Sequence, residues 1–264
     1  MKNQARKRAG AVRRTTIAST ATRNRFIRRW IDSTPTPAAY SATVKYFALL
    51  ALPLLCAALA LLTGRLPFKL GVPGLCALIL LALLRCSPRV QSRGVWAIIV
   101  GFSMSMVGDF FLSNRPGHAH FFEAGIATYF VAHLGYLRYA LLNGKLHRLA
   151  LAILLAGFGS YFGLALAPAI SDRVLWVASL LYLLISCVGF AAALGLKQPP
   201  RIKGLYVAGI GLVVFSDTVI SFSEFLHYRD LDGWILPTYY LAHLAITSSI
   251  LLRQDSCGVR QVSP

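Results

Sequence analysis

The chain of 264 residues is 56% hydrophobic and only 14% charged, with a mean hydropathy of +0.62; an ordinary soluble domain carries about 25% charged residues. That balance excludes a water-soluble globule. The 27 Lys and Arg against 9 Asp and Glu would otherwise point to nucleic acid, but repeated apolar runs of membrane-spanning length exclude it, and the basic excess reads as topology.

Half of the net charge of +18 lies in residues 1–32, where Lys2, Arg6, Lys7, Arg8, Arg13, Arg14, Arg23, Arg25, Arg28 and Arg29 face one acid, Asp32. A disordered cytosolic arm lying on anionic lipid is the expectation; the acid-poor, Arg- and Ser-rich composition also looks like an organellar transit peptide. No apolar stretch of a secretory signal occurs within this tail. Pro35 and Pro37 break the linker that follows, so the tail is placed at 1–43, a transmembrane domain at 44–252 and a short cytosolic tail at 253–264.

Eight apolar runs then follow at 44–63, 68–85, 95–113, 121–142, 149–168, 173–196, 204–225 and 234–252, each near the ~20 residues that a bilayer core requires. They are continuous and lack the alternation of barrel strands, so the expected fold is an all-α polytopic bundle of eight transmembrane helices. Arg85, Arg89, Arg93, Lys145, Arg148, Lys197, Arg201, Lys203, Arg253 and Arg260 follow the even spans. They outnumber Arg65, Lys69, Arg115, Arg173 and Arg229 on the other side. The positive-inside rule therefore puts both termini in the cytosol, in a cell membrane or, in a eukaryote, the endoplasmic reticulum. Cys56, Cys76, Cys86, Cys187 and Cys257 show no ligand spacing and are expected to be free thiols.

The chain repeats itself. Thr128-Tyr129-Phe130-Val131-Ala132-His133-Leu134 in span four matches Thr238-Tyr239-Tyr240-Leu241-Ala242-His243-Leu244 in span eight. Upstream, Gly101 and Gly209 each precede an aspartate by eight residues (Asp109, Asp217), and Ser113 and Ser221 each follow it by four. The even offset makes the copies parallel, with a pseudo-twofold along the membrane normal and a site where they meet.

An aspartate at the centre of a spanning helix costs ~2.5–3.5 kcal/mol on insertion scales and normally faces a partner inside the bundle. Asp109, Asp217, His133 and His243 are the catalytic candidates, placed to meet in one pocket in the extracytosolic half. Ser105, Asp109 and Ser113 share one face of span three, and Asp217, Ser221 and Glu224 one face of span seven; Tyr129 with His133 and Tyr239 with His243 are i, i+4 pairs. Tyr129, Tyr239, Ser105, Ser113, Ser216, Ser221 and Glu224 are the expected substrate contacts. A desolvated carboxyl that keeps its proton suits a general acid, and a second carboxylate beside it stays ionised.

Plainer readings weigh against parts of this set. A single histidine often serves as hydrogen-bonded packing glue between helices, and Glu123 and Glu224 sit at span ends where water reaches. His118, His120 and Glu123 make a weak metal cluster, Gly159 and Gly163 read as a packing motif, and a serine hydrolase would need Ser103, Ser105 or Ser216 beside a histidine. The four catalytic candidates also have the chemistry to hold one zinc.

Gly108-Asp109-Phe110-Phe111-Leu112, Ala132-His133-Leu134, Phe215-Ser216-Asp217 and Tyr239-Tyr240-Leu241-Ala242 resemble the YhhN family of membrane proteins, over roughly residues 44–252. The resemblance implies an eight-span integral membrane hydrolase, a lysoplasmalogenase, that cleaves the vinyl ether bond of a lysophospholipid. The products would be a fatty aldehyde and glycerophosphocholine or glycerophosphoethanolamine, formed without a metal or other cofactor. Many members carry glutamine where this chain has His243, which makes His243 a weaker candidate than either aspartate. The expected partners are lysophospholipid and membrane lipid, with no nucleic acid and a homo-oligomer left open. A small-solute or proton-coupled transporter is the alternative that the architecture allows, and a lipid-sensing scaffold a third.

Overall fold

A computed structural model describes residues 37–86, 94–118 and 120–259. The basic tail up to residue 36, with both of its readings, lies outside them, as do Arg89, Arg93 and Arg260 and the side chains of Cys86 and Cys257. The chain divides into Met1–Val44 and Lys45–Pro264, and the second unit holds all the described residues except 37–44.

Among the described residues there are eight long helices: α1 (Pro37–Thr63), α2 (Leu66–Cys86), α3 (Val95–Ser113), α4 (Phe121–Asn143), α5 (Arg148–Tyr161), α6 (Arg173–Leu194), α7 (Pro200–Phe225) and α8 (Ile235–Val259). Six segments are long and apolar enough to cross a membrane, namely α2, α3, α5 with its extension to Ala169, α6, α7, and Asp232–Arg253, which holds most of α8. The other two long helices fall short of that description. The apolar part of α1 is the shorter Ala48–Thr63, and α4 carries Glu123, Tyr129, His133 and Arg138 along its length.

Local chemistry sets the helix ends. The Asp172 carboxylate accepts from Leu175 N at 2.9 Å and the His147 ring from Ala150 N at 3.1 Å, each satisfying an otherwise orphaned donor of a first turn. Pro200 opens α7, where its missing N–H is no loss. Gly94 precedes α3 at φ 88°, a conformation that a side chain would strain. Some helices run past the apolar limits: α8 continues to Val259 rather than stopping at 252, and α7 starts at Pro200 rather than 204. Hydropathy marks where the bilayer ends, whereas backbone hydrogen bonding continues through polar residues.

Six helices close a ring, each packing on the next: α2 on α3, α3 on α4, α4 on α6, α6 on α7, α7 on α8, and α8 back on α2. Its centre is apolar, built from Leu80, Ile98, Phe102, Tyr136, Tyr139, Tyr206, Ile210, Ile246 and Ile250. Small residues let the helices approach: a Cβ on Gly135 would stand 2.3 Å from the Ala97 carbonyl oxygen, so α3 and α4 meet backbone to backbone there. Helix α5 lies outside the ring against α6 and has no buried residue; it runs into a π turn, Phe162–Leu166, that returns Phe162 and Leu166 to the protein. A Cβ on Gly159 or Gly163 would meet nothing within 4 Å, so the expected packing motif has no partner among the described residues. Cys56, Cys76 and Cys187 are free thiols.

Candidate active site

Two aspartates lie inside this ring. Asp109, on α3, is 7% exposed and accepts one hydrogen bond on each oxygen, from the hydroxyl of Tyr129 on α4 and from that of Tyr239 on α8 at 3.1 Å. Asp217, on α7, accepts a hydrogen bond on Oδ2 from the Tyr182 hydroxyl of α6 at 2.8 Å, and His133 Nε2 lies 3.4 Å from the same oxygen. Among the described residues Oδ1 of Asp217 takes no hydrogen bond, and the side chain keeps 15% of its surface open.

The pairing crosses between helix pairs. The shorter sequence gap puts His133 after Asp109, yet its ring meets Asp217 instead, while Asp109 is reached by Tyr239 from α8. His133 Nδ1 lies 3.0 Å from the Tyr129 carbonyl oxygen and 3.3 Å from the Tyr182 hydroxyl. A carbonyl only accepts, so Nδ1 carries the hydrogen of that bond, and Nε2 is the nitrogen that can exchange a proton with Asp217.

A cavity of about 100 Å³ opens between α4, α5, α6 and α7. Half of its lining residues are Leu, Ile, Val and Phe, and Asp217 is the carboxyl among them; Tyr129, Tyr161, Tyr182, Ser179, Ser186, Ser221 and Thr218 add hydroxyls. The expectation of one pocket holding all four candidates is corrected here. Asp109, His133 and His243 do not line the cavity; Asp109 stands behind the Tyr129 hydroxyl, and His243 is fully buried between the rings of Phe102 and Tyr239. His243 Nδ1 bonds the Tyr239 carbonyl at 2.9 Å, and its Nε2 has no partner. Both histidines thus make the same i−4 backbone contact and neither Nε2 makes a hydrogen bond, but only that of His133 lies within 3.4 Å of a carboxylate.

The remaining candidates separate likewise. Ser221 lines the cavity and pairs with the Tyr161 hydroxyl at 2.8 Å. Ser105 is buried against the Tyr136 hydroxyl at 3.0 Å, Ser216 donates to the Ile235 carbonyl at 3.1 Å, and Ser113 closes α3 outside the cavity lining. Glu224 forms an ion pair with Arg115 at 2.6 Å. Ser103 donates to Ile99 O, so none of the three serines needed for a serine hydrolase is hydrogen-bonded to a histidine. Among the described residues no group of three His, Cys, Asp or Glu side chains is arranged to hold a metal ion; His118 stacks on Phe121, away from the His120–Glu123 pair at 3.3 Å.

Tyr182 is the site residue that sequence reading missed. It lies in the apolar run Leu180-Leu181-Tyr182-Leu183-Leu184, outside both repeated segments, and its one signal is a phenol that needs a partner once buried.

The sequence pattern of the YhhN family matches residues 68–250. The chain belongs to the YhhN family. No curated protein and no solved structure matches it. The YhhN match spans α2 to α8 and so includes both aspartates, both histidines and Tyr182.

Proposed function

We propose that this YhhN-family chain is an eight-span membrane hydrolase that cleaves the vinyl ether bond of lysoplasmalogen, releasing a fatty aldehyde and a glycerophosphodiester. The observation that carries the reading is Asp217, a carboxyl on an apolar cavity with Oδ2 held by the Tyr182 hydroxyl, His133 Nε2 3.4 Å away, and Oδ1 left open. An apolar cavity takes a hydrocarbon chain, and a fixed carboxyl on its wall provides acid–base chemistry at one point along it.

In this reading protonated Asp217 gives its proton to the β-carbon of the vinyl ether, and the adjacent ether carbon becomes an oxocarbenium ion. The Tyr129 hydroxyl hydrogen is committed to Asp109, so it is the oxygen lone pairs that Tyr129 offers to the developing cation. Water then adds to that carbon and its proton returns to Asp217. The hemiacetal collapses with transfer of its hydroxyl proton to the glycerol oxygen, giving aldehyde and alcohol. One group serving as acid and then as base is also the logic of retaining glycoside hydrolysis.

The parallel repeat belongs to the same proposal. Two corresponding contacts support it: a Cβ on Gly101 would lie 3.2 Å from Ala132 O and one on Gly209 3.1 Å from Ala242 O, and α4 packs on α6 as α8 packs on α2. With α1 and α4 counted as spans, both termini lie on the cytosolic side and the cavity opens in the opposite half of the bilayer. Purified protein in detergent, supplied with lysoplasmalogen and assayed for aldehyde, tests the reading; folded protein that releases none refutes it.

A further inference from the structure

At the end of the bundle where α3, α4 and α7 have their cavity-side termini, Arg115 Nη1 and Glu224 Oε1 form an ion pair at 2.6 Å. The pair sits on the cavity's rim. Arg115 follows the lining residue Leu112 by three positions, Glu224 lies between the lining residues Ser221 and Phe225, and the Arg115 guanidinium is 5.9 Å from the ring of Phe122. Phe122 and Phe225, both lining, contact each other at 6.0 Å. The two charged side chains are 41% and 25% exposed; such a pair contributes little to folding stability and is free to take other partners.

We propose that Arg115 and Glu224 are a headgroup clamp for a lipid whose headgroup carries one phosphodiester and one ammonium, a refinement that rests on the hydrolase reading. A guanidinium has five N–H donors and only Nη1 is engaged by Glu224, so the others are available to a phosphate. Glu224 keeps Oε2 for an ammonium, and Phe225, the next residue on α7 and a lining residue of the cavity, offers a ring to a quaternary one. The clamp is neutral as a whole, which matches a zwitterion and leaves the extra charge of an anionic headgroup uncompensated. The spacing also fits. Asp217 and Glu224 are seven residues apart on α7, the same face two turns on, or about 10 Å, the length of a glycerophosphodiester from its sn-1 oxygen to its ammonium.

The test uses the purified full-length chain with three lipids: alkenyl-lysophosphocholine, alkenyl-glycerol phosphate, which lacks the ammonium, and a saturated-ether lysophosphocholine that cannot be hydrolysed, whose binding is measured directly. Glu224→Gln is expected to raise KM for the choline lipid about tenfold (~1.4 kcal/mol), with a smaller change in kcat and little change in KM for the phosphate lipid. Arg115→Gln raises KM for both. The exchanged pair, Arg115→Glu with Glu224→Arg, keeps an ion pair and so the local fold, yet is expected to weaken choline-lipid binding as well. Turnover with the same KM values and headgroup preference in all variants overturns the clamp and leaves the hydrolase reading standing. Absence of turnover, with saturated-ether lipid still bound by wild type and lost in the variants, upholds the clamp and refutes the hydrolysis. Absence of both turnover and binding refutes both.

Discussion

Asp217 and Asp109 are each held by a tyrosine hydroxyl, yet only one of them borders empty space. Replacing Asp217 with Asn removes the proton that the proposed reaction delivers and should lower kcat by about 10²–10⁴-fold, the usual range for a general acid or base, with insertion intact. Tyr182 touches Oδ2 and the His133 ring but is not the proton donor to carbon. Tyr182→Phe should therefore lower kcat more than it raises KM, by roughly 10-fold, as a positioning residue does. A purely structural role would instead lower the melting temperature and leave kcat per folded molecule at the wild-type level. Asp109, Asp217 and His133 were legible in sequence because ionisable groups are costly in bilayer helices. Their crossed pairing was not legible, since spacing along a chain says which residues share a face and not which faces meet.

Most helix limits were readable to within about four residues because apolar runs and bilayer thickness set them together, but the start of α1 at Pro37 and the end of α8 at Val259 each lie seven residues beyond the apolar run. The π turn of Phe162–Leu166 and the position of α5 outside the ring were not, because hydropathy treats lipid and protein interior alike. The glycine contacts give a sharp contrast. Gly135→Val would place a side chain against the Ala97 carbonyl oxygen, 2.3 Å from the first added carbon, and a backbone neighbour cannot rotate away. The expected loss is about 1–3 kcal/mol, read as a lower midpoint of thermal unfolding in detergent. Gly159→Ala meets no atom within 4 Å and should change stability by less than about 0.5 kcal/mol. Equal effects at the two positions would contradict the packing described.

At the scale of the whole transmembrane unit, the loops at the two ends differ in charge. Lys145 and Lys197 lie in loops stitched together at one end, where Lys145 N donates to Gly195 O at 3.0 Å and Lys197 N to Asn143 O at 3.1 Å. Among the described residues Arg85, Lys145, Arg148, Lys197, Arg201, Lys203 and Arg253 at that end outnumber Arg65, Lys69, Arg115, Arg173 and Arg229 at the other. This asymmetry predicts the orientation. A cysteine at Pro116 should react with an impermeant maleimide on intact cells, above the labelling of the unsubstituted chain, and one at Lys197 only after permeabilisation. The reverse pattern would invert the topology and put the cavity on the cytosolic side.

The central claim is that Asp217 transfers a proton to carbon, and the most direct measurement is turnover of lysoplasmalogen in D₂O, with mass analysis of the aldehyde. Wild-type protein should give aldehyde with one deuterium on the carbon next to the carbonyl, at a rate reduced by the isotope, and Asp217→Asn should give almost none. Aldehyde without that deuterium, or near wild-type release from folded Asp217→Asn, would contradict the mechanism.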